Sequence, residues 1–477
     1  MKRKSFYLMS AALLGALVIT SCGQPERAPD LIYRTWDTGT KAQNNEERQL
    51  VRAFEKKENV KIKIIETPGQ GDDYWTNINA SIINKLDVAD VFMLQNLDRP
   101  LANKYLMNIK EYTDADEEFA NVPASVKDAC AFKNGVYAIP ARLNLQGYFA
   151  NTTVIEEQLG IDATNLNVNS SFADLENIIN TAASLLNTTG VYGVNSTAHF
   201  IDNMASVYDT SENKALGHYT WDGSNYHLDD PAFIAGIQKG QELYNARKTL
   251  DSYSAEERAE NGVEGSDIKD ATADAWNKGK LALRYGYTYE YPDMMDKKQP
   301  GNSYRFIGNP GGKITVIGDY YGIYVNTKKP DLAYKFAKWM SFGKEGFTKR
   351  MEIYSKKGAV NSMPLQNDAT LINNYFDMFG DMKGLEDAFE YIKTKSSVEG
   401  VKIIPGYNQA RFKLPTNVQI ETINEKGETV SSNAEIGELL NLCIIGNMEI
   451  ATYASELNTL ANKTYSDWMA MHGGKYE

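Results

Sequence analysis

Apolar residues along this chain recur with two different periods, and the periods alternate. Leu31 to Trp36 (LIYRTW) reads as a strand, and the following NNEERQLVRAFEKKENV places Leu50, Val51 and Phe54 on one helical face. Val60, Ile62 and Ile64 then alternate with lysines in VKIKII, a strand with one buried face. Ile78, Ile82 and Leu86 recur at four-residue steps, the signature of a second helix, and Ala89 to Leu94 (ADVFML) is a short continuous apolar strand. Strand, helix, strand, helix, strand implies parallel pairing with right-handed crossovers, an α/β sheet.

The same style returns further on. Ser171 and Asp174 open a helix as a capping box, and Leu175, Ile178, Ile179, Ala182, Leu185 and Leu186 form its apolar stripe. Leu332, Ala333, Phe336, Ala337 and Met340 repeat the pattern, and a long final helix carries Ile450, Tyr453, Leu457, Leu460 and Trp468. These stripes are core faces. Neither an internal repeat nor a low-complexity stretch beyond a short tether interrupts them.

The first residues follow different rules. Lys2, Arg3 and Lys4 precede an apolar run from Phe6 to Ile19, the layout of a secretory signal over residues 1–21. That run is too short for a membrane span, which needs roughly 20 helical residues. Ile19-Thr20-Ser21-Cys22 resembles the bacterial lipobox, whose cysteine becomes the lipid-bearing first residue of the mature protein. The resemblance implies a diacylglycerol thioether on Cys22, with residues 22–30 as a polar tether. Acyl carbons stabilise attachment by about 0.8 kcal/mol per buried CH₂, so the anchor would hold the chain at the extracytoplasmic face of the cell membrane. Of the other two cysteines, Cys130 and Cys443, both read as small buried hydrophobes.

Removing the three basic leader residues leaves 47 Lys and Arg against 62 Asp and Glu, a net charge of about −15. That balance excludes nucleic acid as a partner, since its backbone demands basic neutralisation. No GxGxxG or GxxxxGK[ST] loop follows a strand, the four histidines lack metal spacing, and no GxSxG elbow occurs. The expectation is therefore a chain without cofactor or metal, and not an enzyme. Some 450 mature residues suggest two domains, and 29 tyrosines suit carbohydrate stacking.

Four blocks in order carry a resemblance: ADVFML; NGVYAIPARLNLQGYFAN (134–151); AWNKGKLALRYGYTYEY (275–291); and FIGNPGG followed by GDYYGIYVNTKKPDLAYKFAKWMSF. Behind a lipobox, they make the chain similar to extracellular solute-binding proteins of bacterial ABC importers, in the sugar-binding family that includes maltose-binding proteins. The resemblance spans Leu31 to Trp468. It implies a two-lobed periplasmic-binding-protein-like fold (type II), with mixed sheets flanked by helices and a ligand cleft between lobes. Aligned on Pro140, the chain should first cross at Asn144 to Tyr148 and return at Arg305 to Gly308. Lobe 1 would hold 31–146 and about 307–345; lobe 2 would hold 147–306 and about 346–477. The implied partners are a carbohydrate, the permease subunits of an importer and the membrane through Cys22, with the protein itself a monomer.

A sugar offers hydroxyl edges and apolar C–H faces, so its cleft needs flat aromatics and planar polar groups. Trp36, Asp37 and Asn96 follow strands, at the carboxyl ends where open α/β sheets bind ligands. Trp75 lies in a Gly-rich turn at a helix start or cleft rim, and Trp276 lies in the third block. Arg142, Asn144 and Gln146 alternate along the expected crossing strand, and Asn144 stands where maltose-binding proteins use a carboxylate. Tyr285, Tyr287 and Tyr289 alternate in the block whose family counterpart carries a stacking tryptophan. Asp319 and Tyr320 follow a glycine in a loop that often touches ligand in this family. Three alternatives remain open at this level: a binding protein for a non-sugar solute, such as ferric iron at the Tyr320-Tyr321 pair; a lipid-anchored glycoside hydrolase with a pair of carboxylates; and a binding protein that serves a sensor rather than an importer.

Overall fold

The computed structural model describes residues 27–69, 71–203, 220–297, 299–312, 314–379, 383–398, 414–423 and 427–476. The signal segment 1–21, Cys22 and most of the tether lie outside the described residues. Two mixed sheets organise the chain. The first runs Ile62–Glu66, Leu31–Thr35, Val91–Leu94, Tyr320–Ile323, Ile139–Pro140; its first three strands are parallel and Tyr320–Ile323 is antiparallel to them. The second runs Ser396–Val398, Ile314–Ile317, Asn144–Asn151, Leu281–Tyr287, Tyr192–Val194. Its longest member, Asn144–Asn151, is buried at every residue, as expected of a strand enclosed on both faces.

Local chemistry sets the helices. Asn45 caps Glu46–Glu58 by accepting from Arg48 N at 3.0 Å, and Leu50, Val51 and Phe54 turn inward together. The capping box of Phe172–Thr189 is present: Ser171 Oγ accepts from Asp174 N at 3.3 Å, and Ser171 N donates to Asp174 Oδ2 at 2.8 Å. Phe54, Phe336 and Trp339 pack with Tyr33 behind the first sheet. Ile178, Ile179, Phe233, Ile237, Leu283, Leu439 and Leu457 fill the core behind the second. Among the described residues, no helix is long and apolar enough to cross a membrane. Cys130 and Cys443 are buried free thiols.

The lobe boundaries differ from the expected ones. The chain does enter the second sheet with Asn144, but it does not return at Arg305 to Gly308. Tyr304–Gly308 pairs antiparallel with the far end of the crossing strand, Arg305 opposite Ala150 and Phe306 opposite Phe149. A bend through Gly311 and Gly312, both at positive φ, brings Ile314–Ile317 back along the near end of that same strand. The return falls between Ile317 and Tyr320. Lys344–Tyr354 also belongs with the first lobe, since it packs along Glu46–Glu58 and Pro330–Met340. Leu385–Lys395 then lies against the second sheet. Where strands cross, backbone approaches backbone: a Cβ on Gly147 would lie 2.7 Å from the carbonyl carbon of Gly308.

Candidate functional site

The carboxyl ends of the first sheet carry one aromatic cluster. Trp36, just past Leu31–Thr35, meets Tyr74 edge-on at 4.9 Å, and the Tyr74 hydroxyl donates to Arg34 O at 3.2 Å. Trp75 is stacked on Tyr105 at 6.0 Å, and the Tyr105 hydroxyl donates to Asn79 Oδ1 at 2.7 Å. Beside them is a small cavity of about 40 Å³, lined by Tyr74, Trp75, Asn96, Asp98 and Arg99 among others. Its size suits a hydroxyl or hydroxymethyl group and excludes a whole ring. Asp319 lies close enough for its charge to act on Tyr74, and its carbonyl accepts from Ala141 N at 2.7 Å.

Asp98 and Arg99 are additions to the expected set. Asp98 is 3% exposed, and burial pushes its carboxyl up to about 7 against the pull of the Arg99 backbone N–H and guanidinium. Its Oδ1 meets no hydrogen-bond partner. Arg99 pairs with Asp72 at 2.7 Å. The signal for both was available, because they follow Val91–Leu94 at its carboxyl end, as Asn96 does.

The second sheet carries the other cluster. A cavity of about 370 Å³ opens over Leu281–Tyr287 and is lined by Asn195, His199, Lys269, Arg284, Tyr285, Tyr287, Tyr289 and Glu290 among others. Asn195 brackets the backbone of Tyr285, accepting from its N–H at 2.8 Å and donating to its carbonyl at 3.1 Å. His199 lies flat on the Tyr285 ring at 3.9 Å, and its Nε2 is 2.8 Å from the Tyr148 hydroxyl. Burial drives the His199 imidazole down to about 3, so it is neutral at physiological pH. Tyr287 and Tyr289 stack face to face at 5.0 Å and 11°, and Tyr289 is 47% exposed. Gln146 on the adjacent strand donates from Nε2 to the Tyr287 hydroxyl at 3.3 Å, and Thr288 Oγ1 donates to Asn144 Oδ1 at 3.2 Å. Arg284 and Glu290 pair at 3.3 Å. Asn195 and His199 lie outside every block that the sequence highlighted, whereas Glu290 lies within the third, next to Tyr289.

Several expected site residues sit elsewhere. Trp276 is 1% exposed on the inner face of Ile268–Asn277, packed 4.9 Å from Tyr304. Tyr320 is 2% exposed and faces the core around Phe92 and Leu94. Tyr289 is not the third member of a strand alternation. The strand ends at Tyr287, and a 3₁₀ turn over Thr288–Glu290 folds the ring onto its neighbour.

Arg142 and Asp37 form an ion pair. Arg142 precedes the crossing strand, so it does not share the face of Asn144 and Gln146. Its guanidinium contacts Asp37 Oδ2 and lies 3.1 Å from Glu47 Oε2. Glu47 Oε1 in turn accepts from Arg350 Nη1, from Asn361 Nδ2 at 3.0 Å and from the Tyr354 hydroxyl at 3.1 Å. Burial alone would raise Glu47, yet Arg142 and Arg350 hold it down at about 2. Two carboxylates and two guanidiniums thus share one buried cluster, in which Arg142 faces both Asp37 and Glu47.

Comparison with known proteins agrees with this geometry. The sequence profile of the family described as "Bacterial extracellular solute-binding protein" matches residues 49–380. No curated protein matches the chain. Similar solved structures include an ABC substrate-binding protein from Listeria monocytogenes in complex with cycloalternan, 15% identical, with a TM-score of 0.62 over 91% of this chain and 98% of that one. The GacH receptor of Streptomyces glaucescens, solved unliganded and with acarbose, is 14% identical, with a TM-score of 0.63 over 91% and 98%. The cyclic alpha-maltosyl-1,6-maltose binding protein of Arthrobacter globiformis is 12% identical, with a TM-score of 0.59 over 92% and 100%. With its profile match and its two-lobed α/β fold, the chain belongs to the bacterial extracellular solute-binding protein family.

Proposed function

We propose that this protein captures a carbohydrate, an oligosaccharide of several rings, in the cleft between its lobes and delivers it to the permease of an ABC importer. The observation that carries the reading is the pair of aromatic clusters at the two sheets. Trp36, Trp75 and Asn96 stand on one lobe, and Gln146, Tyr285, Tyr287 and Tyr289 on the other. Flat rings match the C–H faces of a sugar, while amides and carboxyls match its hydroxyl edges. The names of the similar structures, which record cycloalternan, acarbose and a cyclic maltosyl-maltose, support the same class of ligand. Ligand that touches both lobes favours the closed arrangement over the open one, so capture proceeds by hinge closure. The protein acts by binding and release, without catalysis. A lipid on Cys22 keeps it beside its membrane partner.

A thermal-shift panel on the chain from Gly23 onward tests the reading with neutral oligosaccharides, uronates, amino sugars, peptides and metal ions. A ligand at 100 times its dissociation constant stabilises by about 2.7 kcal/mol, a readable rise. A hit among oligosaccharides is the expected result. Silence across every sugar with a hit elsewhere would leave the family standing and sink the carbohydrate assignment.

A further inference from the structure

Two cations line the cavity over Leu281–Tyr287, and the protein matches only part of their charge. Lys269 lies in the first turn of Ile268–Asn277 and is exposed. Among the described residues it has neither a hydrogen bond nor an ion pair, although Asp267 and Asp270 flank it in sequence. Asp267 Oδ1 instead caps the helix, accepting from Asp270 N at 2.8 Å. Arg284 enters the lining from the strand itself. It pairs with Glu290 at 3.3 Å, and that carboxylate is shared, because Glu290 Oε2 also accepts from Tyr287 N at 3.2 Å. Arg284 Nε is buried and meets no hydrogen-bond partner. A guanidinium carries five N–H donors and keeps its charge, so this one is incompletely matched.

Glu290 is the only carboxylate among the residues that line this cavity. His199 adds no charge, since burial keeps it neutral, and the lining therefore carries two positive charges against one negative. That excess stands on a chain whose formal net charge is −12. Arg142, by contrast, already faces Asp37 and Glu47.

We propose that the second-lobe cavity receives an acidic sugar, its carboxylate held by Lys269 and Arg284 and its ring set against the stacked Tyr287 and Tyr289. This rests on the carbohydrate reading above and narrows it to oligosaccharides that contain uronate units. One carboxylate balances the unmatched positive charge. Its planar pair of oxygens also fits the edge of a guanidinium, which a lone ammonium would not select. A neutral glycan would bury the Arg284 donor further without answering its charge, whereas a carboxylate supplies the missing acceptor. The volume, about 370 Å³, lies in the range of small-molecule sites.

Titration calorimetry of the chain from Gly23 onward tests this with galacturonate, mannuronate and glucuronate trisaccharides, each beside its methyl ester, and with neutral and sulfated trisaccharides. Esterification removes the charge and keeps the ring, so the ratio of the two affinities reads the carboxylate alone. Wild type should bind a uronate about tenfold tighter than its ester, the contribution of one charged hydrogen bond. In Lys269→Gln and Arg284→Gln that ratio should fall toward one, and in wild type it should shrink with added salt. Lys269 is exposed, so its variant serves if Arg284→Gln does not fold. Tighter binding of the esters, of neutral glycans or of sulfated ones would overturn the acidic assignment and leave the carbohydrate reading standing, as would a ratio that Lys269→Gln leaves intact. Silence toward every glycan would refute the carbohydrate reading, and the acidic assignment with it.

Discussion

Replacing Asp98 by asparagine isolates one buried charge with almost no change of shape. The carboxyl is 3% exposed, its Oδ1 has no partner, and burial raises it from an ordinary 3.8 to about 7. The groups around it are Asp72 and Tyr74 on the neighbouring helix, Arg99 next in sequence and Tyr226 from the second lobe. Both tyrosines are pushed well above 10, so they do not titrate in the same range. Between pH 4 and 7 the folded state holds a proton on Asp98 that the unfolded chain has lost. Stability contributed by this residue is therefore present below about pH 4 and falls as pH rises toward 7. Each pH unit in that window is worth about 1.4 kcal/mol, so the full loss reaches about 4 kcal/mol, an upper bound because relaxation of the site reduces it. Asparagine has no charge to desolvate and escapes the loss. Urea unfolding of wild type and Asp98→Asn at pH 5 and pH 8 measures it. The variant should gain on the wild type by a few kcal/mol between those two values and be the more stable at pH 8. Parallel pH dependences, or a variant that is less stable at pH 8, would refute the argument that the carboxyl is buried without compensation.

Glu47→Gln leaves Arg142 and Arg350 facing each other across a neutral amide, and removing one partner of such a buried set costs about 3–5 kcal/mol in chemical denaturation. Because Glu47 is held near 2 in the folded state, its contribution is present above about pH 4.5 and is lost as pH falls toward 2, so the variant's deficit should shrink in acid. Gly147→Ala forces a methyl against the Gly308 backbone and should lower stability by about 1–3 kcal/mol, measurable as a fall in melting temperature. Tyr287→Ala removes half of a stacked pair at the second cavity; glycan affinity should drop roughly tenfold, about 1.4 kcal/mol by titration calorimetry, with the melting temperature of the free protein little changed.

The structure divides the legible from the illegible along a physical line. What depends on a few neighbouring residues could be read: the alternation of strand and helix and the Ser171–Asp174 capping box. Even Trp276 was readable as core. It falls on the same helical stripe as Ala271, Thr272 and Ala275, all buried, and the family block drew attention away from that stripe. What depends on distant partners could not be read. Arg350 and Glu47 are separated by 303 positions, and nothing near Arg142 announces that two carboxylates await it. A guanidinium in a cleft sequence looks like a ligand contact until its partners are known. The same blindness explains the return point. Tyr304–Gly308 and Ile314–Ile317 are both apolar strands, and only pairing decides which sheet receives them.

From the sequence, Asp37 is expected at the ligand just after the first strand and Arg142 along the crossing strand, and the structure pairs the two with each other. A hinge demands a rigid root, because lobes that rotate on a strand must not also slide along it. Leu143, next to Arg142, supplies that rigidity through its backbone. Its N–H donates to Ser362 Oγ at 3.0 Å and its carbonyl accepts from Met363 N at 2.9 Å, while Asn361 reaches Glu47 from the same segment. The charged cluster and this backbone clamp therefore hold one point of the chain from two sides, directly before it leaves the first lobe. Polar residues near a cleft serve either the ligand or the hinge, and sequence position alone does not separate the two. Burial and pairing say more: Asp37 and Arg142 pair with each other, whereas Asp98, with an oxygen left unmatched, lines the small cavity beside the aromatic cluster.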